Sequence, residues 1–312
     1  MRAVRNTESG ISVVELPSPT GDGIRVHPRS VSICQTDLNM LRFGARPITF
    51  GHEMAGVTDD GTPVAIEPLQ PCGSCAQCEV GDTQWCDENF VRLAGVGLDG
   101  GMADEILVPE RTLVPLPSTL PVGDASLCEP LAVNLHSLAL ARLEGRMRVA
   151  VCGAGVTGFG LLGAAGALWR GCQVDVEEGQ DHLLAAAERL GAGTATSGTY
   201  DLVVEGDGSE ASIARAAELC RPGGTVLLVA GYYDDKRFEV LPFVLKELTA
   251  IWGTFYGHHA AGRAFDNAAM LLAQRPEIAR TLVTHRVPLD AAAEAFAIAA
   301  GPEPSIKVVI EP

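Results

Sequence analysis

The stretch Val149–Val176, VAVCGAGVTGFGLLGAAGALWRGCQVDV, decides the fold of this chain. An apolar run at 149–152 is typical of a buried strand, and a glycine-rich turn of the form G-x-G-x-x-G follows it at 153–158. A helix-length apolar segment then runs to Trp169, and a second strand is predicted at 172–176. A strand, a glycine-rich turn, a helix and a strand in this order are typical of a βαβ unit that binds a dinucleotide.

Each glycine of the turn has a predicted role in dinucleotide binding. Gly153 makes the tight turn out of the strand, Gly155 lets the backbone approach the pyrophosphate, and Gly158 lets the helix pack closely on the sheet. The unpaired N–H groups at the start of the helix would then face the phosphates. We therefore predict cofactor contacts in the turn at Gly153, Gly155, Val156, Thr157 and Gly158.

Two acidic residues close the second strand of this unit. In dinucleotide-binding folds, a carboxylate about 20 residues beyond the glycines accepts hydrogen bonds from the adenosine ribose. Glu178 is the first choice for this role and Glu177 the second. Neither is followed by an arginine that would hold a 2′-phosphate, so the sequence favours NAD over NADP.

The same stretch has a competing interpretation as a membrane span. Residues 149–169 carry no charged side chain, and 21 residues are enough to cross a bilayer. However, the segment contains six glycines, and it lies within the order of strand, turn, helix, strand and acid described above. These features favour dinucleotide binding over a membrane span.

Composition and charge narrow the class of protein. The 312 residues suggest two domains, and the formal net charge of −16 argues against nucleic acid and anionic membrane surfaces as partners. The first residues, Met1–Ile11, lack the apolar segment of a signal peptide, so we expect a cytoplasmic protein. Nine cysteines in that compartment indicate metal binding or catalysis rather than disulfides.

The pattern of strands and helices changes along the chain. Before position 33, alternating apolar and polar residues predict short antiparallel strands. After Arg148, strands alternate with helices, which is typical of a parallel, doubly wound sheet. We predict strands at 149–152, 172–176, 201–205, 225–230, 249–253 and 306–310, and helices at 183–190 and 209–220.

Four closely spaced cysteines are the strongest metal signal in the sequence. Their spacing is C-x2-C-x2-C-x7-C, at Cys72, Cys75, Cys78 and Cys86. Four thiolates this close together can form a tetrahedral site without an open position, as a structural zinc requires. An iron–sulfur cluster is the alternative, but the fourth cysteine lies too far on for the common ferredoxin pattern and no proline follows it. We therefore predict a structural zinc.

A second group of metal-ligating residue types is spread more widely, at Cys34, His52, Glu53 and Glu129. By itself, each of these residues could equally be a buried or capping residue without a metal. The adjacent His52 and Glu53 would both bind one metal only at a distorted turn or by exchange. The residues alone leave this second site open.

Taken together, these motifs make the chain resemble the zinc-containing medium-chain dehydrogenase/reductase family, and most closely its sorbitol/threonine dehydrogenase-like branch. The motifs that carry the resemblance occur in the family's order: CQTD at 34–37, GHEMAG at 51–56, the four-cysteine lobe, GGMAD at 100–104, EPL at 129–131, GAGVTG at 153–158 and LVTH at 282–285.

The resemblance implies an α/β fold with two domains. One is a GroES-like, mostly β catalytic domain at 1–130, which contains the zinc lobe at 71–87. The other is a Rossmann domain with a doubly wound parallel sheet at 131–256, which binds NAD. A C-terminal segment, 257–312, would return to complete the catalytic domain.

The resemblance also implies a catalytic zinc and its ligands. Cys34 and His52 correspond to two ligands, and Glu129 corresponds to the third, with Cys128 as the alternative because other branches use a cysteine in this region. Glu53 corresponds to a nearby acid that ligates in some states. In this family such a zinc keeps one position open for the substrate.

Three more residues have implied roles around that zinc. Asp37 corresponds to the carboxylate that orients the histidine ligand. Thr36 corresponds to the hydroxyl that takes the substrate proton. Asn39 stands where the family often has a histidine that passes this proton to solvent, and an amide cannot titrate near neutral pH. The relay therefore needs another residue or a water.

The implied activity is hydride transfer between NAD and a secondary alcohol, polyol or sugar, with one catalytic and one structural zinc per chain. Two alternatives are a biosynthetic NADPH-dependent carbonyl reductase and a catalytically silent member that binds nucleotide or zinc. The resemblance implies a homodimer or homotetramer and a small-molecule partner. It does not identify the substrate.

Overall fold

A computed structural model of the protein describes residues 1–155 and 157–312. Its strands are β1 (Arg2–Thr7), β2 (Gly10–Glu15), β3 (Ile24–Ser32), β4 (Glu53–Thr58), β5 (Pro63–Ile66), β6 (Ile106–Val108), β7 (Leu113–Pro115), β8 (Arg148–Cys152), β9 (Gln173–Glu177), β10 (Tyr200–Glu205), β11 (Cys220–Leu228), β12 (Thr249–Trp252), β13 (His258–His259), β14 (Gly262–Arg263), β15 (Val283–Pro288) and β16 (Lys307–Glu311).

The α-helices are α1 (Gln35–Met40), α2 (Ala76–Glu79), α3 (Cys128–Leu140), α4 (Phe159–Trp169), α5 (Asp181–Leu190), α6 (Glu210–Leu219), α7 (Leu241–Leu245), α8 (Ala264–Gln274), α9 (Glu277–Leu282) and α10 (Ala292–Ala300). Short 3-10 helices lie at Leu41–Phe43, Thr83–Trp85, Glu110–Thr112, Val122–Leu127 and Leu289–Ala291. In the part of the chain that the structure describes, no helix is both long and apolar enough to span a membrane.

A parallel sheet of five strands carries the second half of the chain. Its order is β12-β11-β10-β8-β9, and every neighbouring pair is parallel. The predicted α/β fold with a parallel, doubly wound sheet is confirmed, with strand limits that differ by a few residues. Because β8 lies between β9 and β10, the order of the strands reverses direction at β8, and ligands of such sheets bind outside the carboxyl ends at this point.

A mixed sheet of seven strands carries the first half of the chain and its end. Its order is β15-β16-β3-β4-β5-β7, and β6 pairs with the other half of β3. The last strand, β16, runs antiparallel to β3, with Val309 opposite Ser32, and β3 pairs with β4 so that Ser32 is opposite Glu53. The end of the chain therefore lies beside the segments that carry Cys34, His52 and Glu53.

The segment after β12 divides between the two halves. Helix α8 packs against α3, and α9 packs against α5, beside the parallel sheet. Only from Val283 onwards does the chain join the mixed sheet, through β15 and β16. The domain limits at 130 and 256 stay predictions, and β12 lies at one edge of the parallel sheet.

The glycine-rich turn depends on backbone conformations that favour glycine. Gly153, Gly155 and Gly158 have φ angles of 78°, 76° and 70°. We predicted that Gly158 allows the helix to pack closely on the sheet. In the structure Gly160 has this role, because a β-carbon on Gly160 would overlap the carbonyl oxygen of Gly153. Gly158 itself faces Ile306, next to the last strand.

We expect Gly160→Ala to destabilise the protein by about 1–3 kcal/mol, because the added methyl group forces α4 away from β8. Gly179→Ala is the matched control, since nothing lies within 4 Å of its would-be β-carbon. Urea unfolding of both variants measures the free energy of unfolding. Equal stability of the two variants would contradict the packing role of Gly160.

Candidate active site

The four cysteines of the lobe meet around one point. Their sulfur atoms lie within 4.8 Å of one another, and those of Cys72 and Cys78 are 3.9 Å apart. The sulfur of Cys72 accepts backbone N–H bonds from Ser74 and Cys75, which lower the pKa of Cys72 to about 6. A thiol with a low pKa is ready to bind a metal as thiolate. The lobe thus has the donor set and geometry that suit a tetrahedral zinc.

Cys34, His52 and Glu53 form the second cluster. Cys34 precedes α1, and His52 and Glu53 stand at the start of β4. Because β3 and β4 are antiparallel neighbours, these residues meet at one end of the pair, and one donor atom from each lies within 4.8 Å of the others. The fold therefore brings His52 and Glu53 to the same point despite their adjacency in the sequence.

Asp37 holds both Cys34 and His52. One of its oxygens accepts the backbone N–H of Cys34 at 2.9 Å, and the other lies 3.5 Å from Nδ1 of His52. Burial opposes a charged imidazole, but Asp37 and Cys34 outweigh burial and raise the pKa of His52 well above its ordinary value. Since Nδ1 faces Asp37, Nε2 is the ring nitrogen left for a metal.

Glu53 has a buried cationic partner. Nζ of Lys307 lies 2.8 and 2.7 Å from the two carboxylate oxygens, and the hydroxyl of Ser32 donates to one of them. The side chains of Lys307 and Glu53 are 1% and 0% exposed. Burial alone would lower the pKa of Lys307, but Glu53 and Cys34 outweigh it and raise this pKa. Residue 307 lies in a strand predicted from the sequence, but no pattern in the sequence indicated its pairing with Glu53.

Glu129 faces this cluster from the first turn of α3. Burial raises the pKa of its carboxyl to about 8, and the charges of His52, Glu53 and Lys307 act on it. Its carboxylate lies outside the closest trio of donors among the described residues. The neighbouring Cys128 belongs to the apolar core, and burial alone raises its pKa. These contacts favour Glu129 over Cys128 as a further ligand.

Thr36 lies beside Cys34 and contacts the other half of the molecule. Its Oγ1 is 3.7 Å from the sulfur of Cys34 and 2.5 Å from the hydroxyl of Tyr233, which follows β11. Asn39 is buried, and its amide donates to the backbone carbonyl of Gln35 at 3.0 Å. Nothing in the sequence pattern indicated Tyr233, because only the folded chain brings it next to Thr36.

The two acids at the end of β9 have different partners. Arg215 binds Glu177 through two hydrogen bonds of 2.6 and 2.9 Å, and Thr196 also donates to Glu177. Glu178 instead reaches the glycine-rich turn, where it accepts the backbone N–H of Ala154 at 2.8 Å. Glu178 is therefore placed beside the turn, while Glu177 is neutralised by an arginine.

The glycine-rich turn packs closely on the residue that follows β10. A β-carbon on Gly155 would lie 2.9 Å from the carbonyl oxygen of Gly206. Thr157 is buried within the turn. Val156, which we also predicted as a cofactor contact, lies outside the described residues. The described part of the turn suits a bound dinucleotide.

Comparison with known proteins agrees with this arrangement. The family described as "Alcohol dehydrogenase GroES-like domain" matches residues 21–118. A D-altritol 5-dehydrogenase of Agrobacterium fabrum is 31% identical over 93% of each chain, and a galactitol 1-phosphate 5-dehydrogenase of Escherichia coli K12 is 28% identical over 95% of each.

Solved structures share the whole fold. The crystal structure of galactitol-1-phosphate dehydrogenase from Escherichia coli matches with a TM-score of 0.88 and 28% identity, and each chain is covered completely. A zinc-binding dehydrogenase from Sinorhizobium meliloti 1021, solved with NADP bound, matches with a TM-score of 0.85 and 27% identity over 100% of this chain and 99% of that one. The predicted GroES-like domain is thus confirmed.

We expect Lys307→Met to destabilise the metal-free protein by about 3–5 kcal/mol, because it leaves the buried carboxylate of Glu53 without its cation. The double variant Lys307→Met/Glu53→Gln should regain most of this loss, since it removes the charge as well. Urea unfolding of the single and double variants measures both effects. A single variant as stable as the wild type would refute the importance of this ion pair.

Proposed function

This chain belongs to the zinc-containing medium-chain dehydrogenase/reductase family, and we propose that it oxidises a secondary alcohol group of an uncharged polyol or sugar with NAD. The observation that carries this proposal is the cluster of Cys34, His52 and Glu53 beside the hydroxyl of Thr36. This cluster combines metal donors with a group that can take a proton.

The donor set of this cluster suits zinc, because thiolate, imidazole and carboxylate are its usual ligands. Cys34, His52 and Glu129 would hold the ion, and Glu53 would replace a ligand in some states. When bound, zinc would polarise the substrate oxygen, and NAD would take up the hydride. A second zinc in the four-cysteine lobe would stabilise that loop without taking part in the reaction.

The chain's own residues would prepare the site for the reaction. The carboxylate of Asp37 lies 3.5 Å from Nδ1 of His52, which would leave Nε2 as the ring nitrogen for the metal. Lys307 neutralises Glu53 and thereby limits the negative charge around the substrate. Thr36 lies close enough to Cys34 to accept the proton of the substrate hydroxyl.

The contacts of three arginines, at positions 42, 46 and 92, support an uncharged substrate. Arg42 pairs with Asp234 at 3.3 Å, and Arg92 binds Glu88 and the carbonyl oxygen of Gln70. Arg46 donates to the carbonyl oxygen of Val96. These three arginines are therefore engaged within the protein, which disfavours a phosphorylated substrate. The relative with 31% identity is named for D-altritol, which carries no charge, whereas the relative with 28% identity is named for galactitol 1-phosphate, so a phosphorylated polyol is the alternative substrate.

NAD is the cofactor that the acidic end of β9 favours. Glu178 would accept hydrogen bonds from the two ribose hydroxyls and would repel the 2′-phosphate of NADP. Arg215 stands nearby but is held by Glu177 and by Glu218. The alternative is a preference for NADP, the cofactor bound in the structure of the related dehydrogenase. With NADPH the enzyme would work as a carbonyl reductase.

The test of this function is NAD reduction by the purified, zinc-loaded protein with a panel of polyols, sugars, amino alcohols and secondary alcohols. We expect turnover of one class of uncharged polyol or sugar, and loss of this turnover with a chelator. Silence across the panel while NAD still binds would contradict the proposed activity. Zinc content would then separate a silent member, with one zinc per chain, from an enzyme with another substrate.

The position of the catalytic zinc is tested with Cys34→Ala or His52→Ala. Either variant should lose turnover while it keeps NAD binding and the zinc of the cysteine lobe, because the three sites share no residue. Metal analysis and NADH fluorescence titration measure these two properties. Full activity of either variant would refute the proposed position of the catalytic zinc.

We expect Glu178→Gln to weaken NAD binding about 10-fold, because a hydrogen bond to a charged group contributes about 1.5 kcal/mol, and to strengthen NADP binding, because the variant no longer repels the 2′-phosphate. Glu177→Gln, which breaks the pair with Arg215 instead, should keep the ratio of the two affinities. Fluorescence titration with NADH and NADPH gives both dissociation constants. A changed ratio in Glu177→Gln alone would assign ribose binding to Glu177.

A further inference from the structure

Two hydroxyl groups meet across the cleft between the two halves of the molecule. Thr36 belongs to α1 beside the mixed sheet, and Tyr233 follows the last hydrogen-bonded residues of β11 in the parallel sheet. Their oxygen atoms are 2.5 Å apart, and either one can be the donor. Tyr233 as a residue is 46% exposed, so its side chain reaches from Thr36 towards solvent.

Of the side chains around Thr36, Tyr233 is the best placed to take its proton. Among the described residues, the hydroxyl of Thr36 has hydrogen bonds only to Cys34 and Tyr233. Asn39 uses its amide on the carbonyl oxygen of Gln35, and an amide cannot take up one proton while it releases another. Asp37 is buried and is directed at Cys34 and His52.

The position of Tyr233 is built into its segment. A side chain at Gly231 would collide with the ring of Tyr233, so the ring lies directly on the glycine backbone. The next residue, Asp234, pairs with Arg42 at 3.3 Å and gives the segment a second contact across the cleft. Two contacts from neighbouring residues thus hold Tyr233 over Thr36.

We propose that Tyr233 is a positioning residue that carries the substrate proton from Thr36 to solvent; this inference rests on the proposed function. As the hydride leaves the carbinol carbon for NAD, the substrate hydroxyl gives its proton to Oγ1 of Thr36. Thr36 passes its own proton to the oxygen of Tyr233, and Tyr233 releases its proton to water. The products are the carbonyl compound, NADH and one proton.

A pair of hydroxyls suits this role because each can donate or accept. In alcohol oxidation Thr36 donates to Tyr233, and in carbonyl reduction the direction of the bond reverses. Neither residue has to ionise, since each takes up one proton as it releases another. The relay therefore does not need a group that titrates near neutral pH. Asn39 could not act as such a group.

The first test is Tyr233→Phe, which removes the hydroxyl and keeps the ring. We expect kcat for alcohol oxidation to fall about 10- to 100-fold with little change in KM, because proton transfer is impaired but substrate binding is not. A second readout is kcat in mixtures of light and heavy water. A plot of kcat against the deuterium fraction should be curved for the wild type and straight for the variant.

The matched control is Tyr232→Phe. It removes the same atom from the adjacent residue, whose hydroxyl donates to Glu205 and not to Thr36. This control should keep the curved dependence on deuterium. The same straight line in both variants would show that a disturbed loop, and not a lost proton path, explains the result, and it would overturn the proposal.

A second measurement does not depend on turnover. A crystal structure of the protein with zinc and NAD bound should keep the oxygens of Thr36 and Tyr233 within hydrogen-bond distance. Separation of these oxygens would overturn the relay. An inactive wild type would refute the proposed function and the relay together, whereas an active wild type with an unaltered Tyr233→Phe variant would refute the relay alone.

Discussion

The buried ion pair of Lys307 and Glu53 is the interaction on which the proposed metal site depends. A carboxylate without any exposure would be strongly unfavourable without a cation, and Lys307 supplies that cation from the last strand of the chain. For this contact β16 has to lie beside β3, and β3 has to lie beside β4. The ion pair thus joins the end of the chain to the start of β4, which carries His52 and Glu53.

The same ion pair explains how several acids can gather around one point. Asp37, Glu53 and Glu129 all act on this site, and they would repel one another without compensation. Lys307 neutralises Glu53, and Asp37 is held by the N–H of Cys34 and faces His52. Burial raises the pKa of Glu129 despite the positive charges of His52 and Lys307, so a metal ion bound nearby would stabilise its charged form.

At the parallel sheet, close backbone packing around three glycines fixes the position of the glycine-rich turn. Gly153, Gly160 and Gly206 bring β8, the start of α4 and the end of β10 so near to one another that none of them can carry a side chain without a shift. Gly158, at the start of α4, touches Ile306, which precedes Lys307. The candidate cofactor turn and the candidate metal site are therefore linked through Ile306 and Lys307, where the last strand begins.

Local patterns in the sequence determined the parallel sheet, the glycine-rich turn and the four-cysteine lobe. Each of these features depends on residues close together in the chain, where periodicity and spacing reflect the structure directly. The residue types of Cys34, His52 and Glu129 left a second metal site open, and only the resemblance to a family assigned them as ligands, because their separation in the chain says nothing about their distance in space. The packing role of Gly160, which we had predicted for Gly158, also became visible only in the folded chain.

Tertiary structure alone decided three further points. It paired Lys307 with Glu53, it placed Tyr233 beside Thr36, and it directed Glu178 rather than Glu177 towards the glycine-rich turn. The first two contacts join residues that are 254 and 197 positions apart, and no local pattern encodes such pairs. Glu177 and Glu178 are adjacent and chemically identical, so only the direction of each side chain, set by Arg215 and by the backbone of Ala154, distinguishes them.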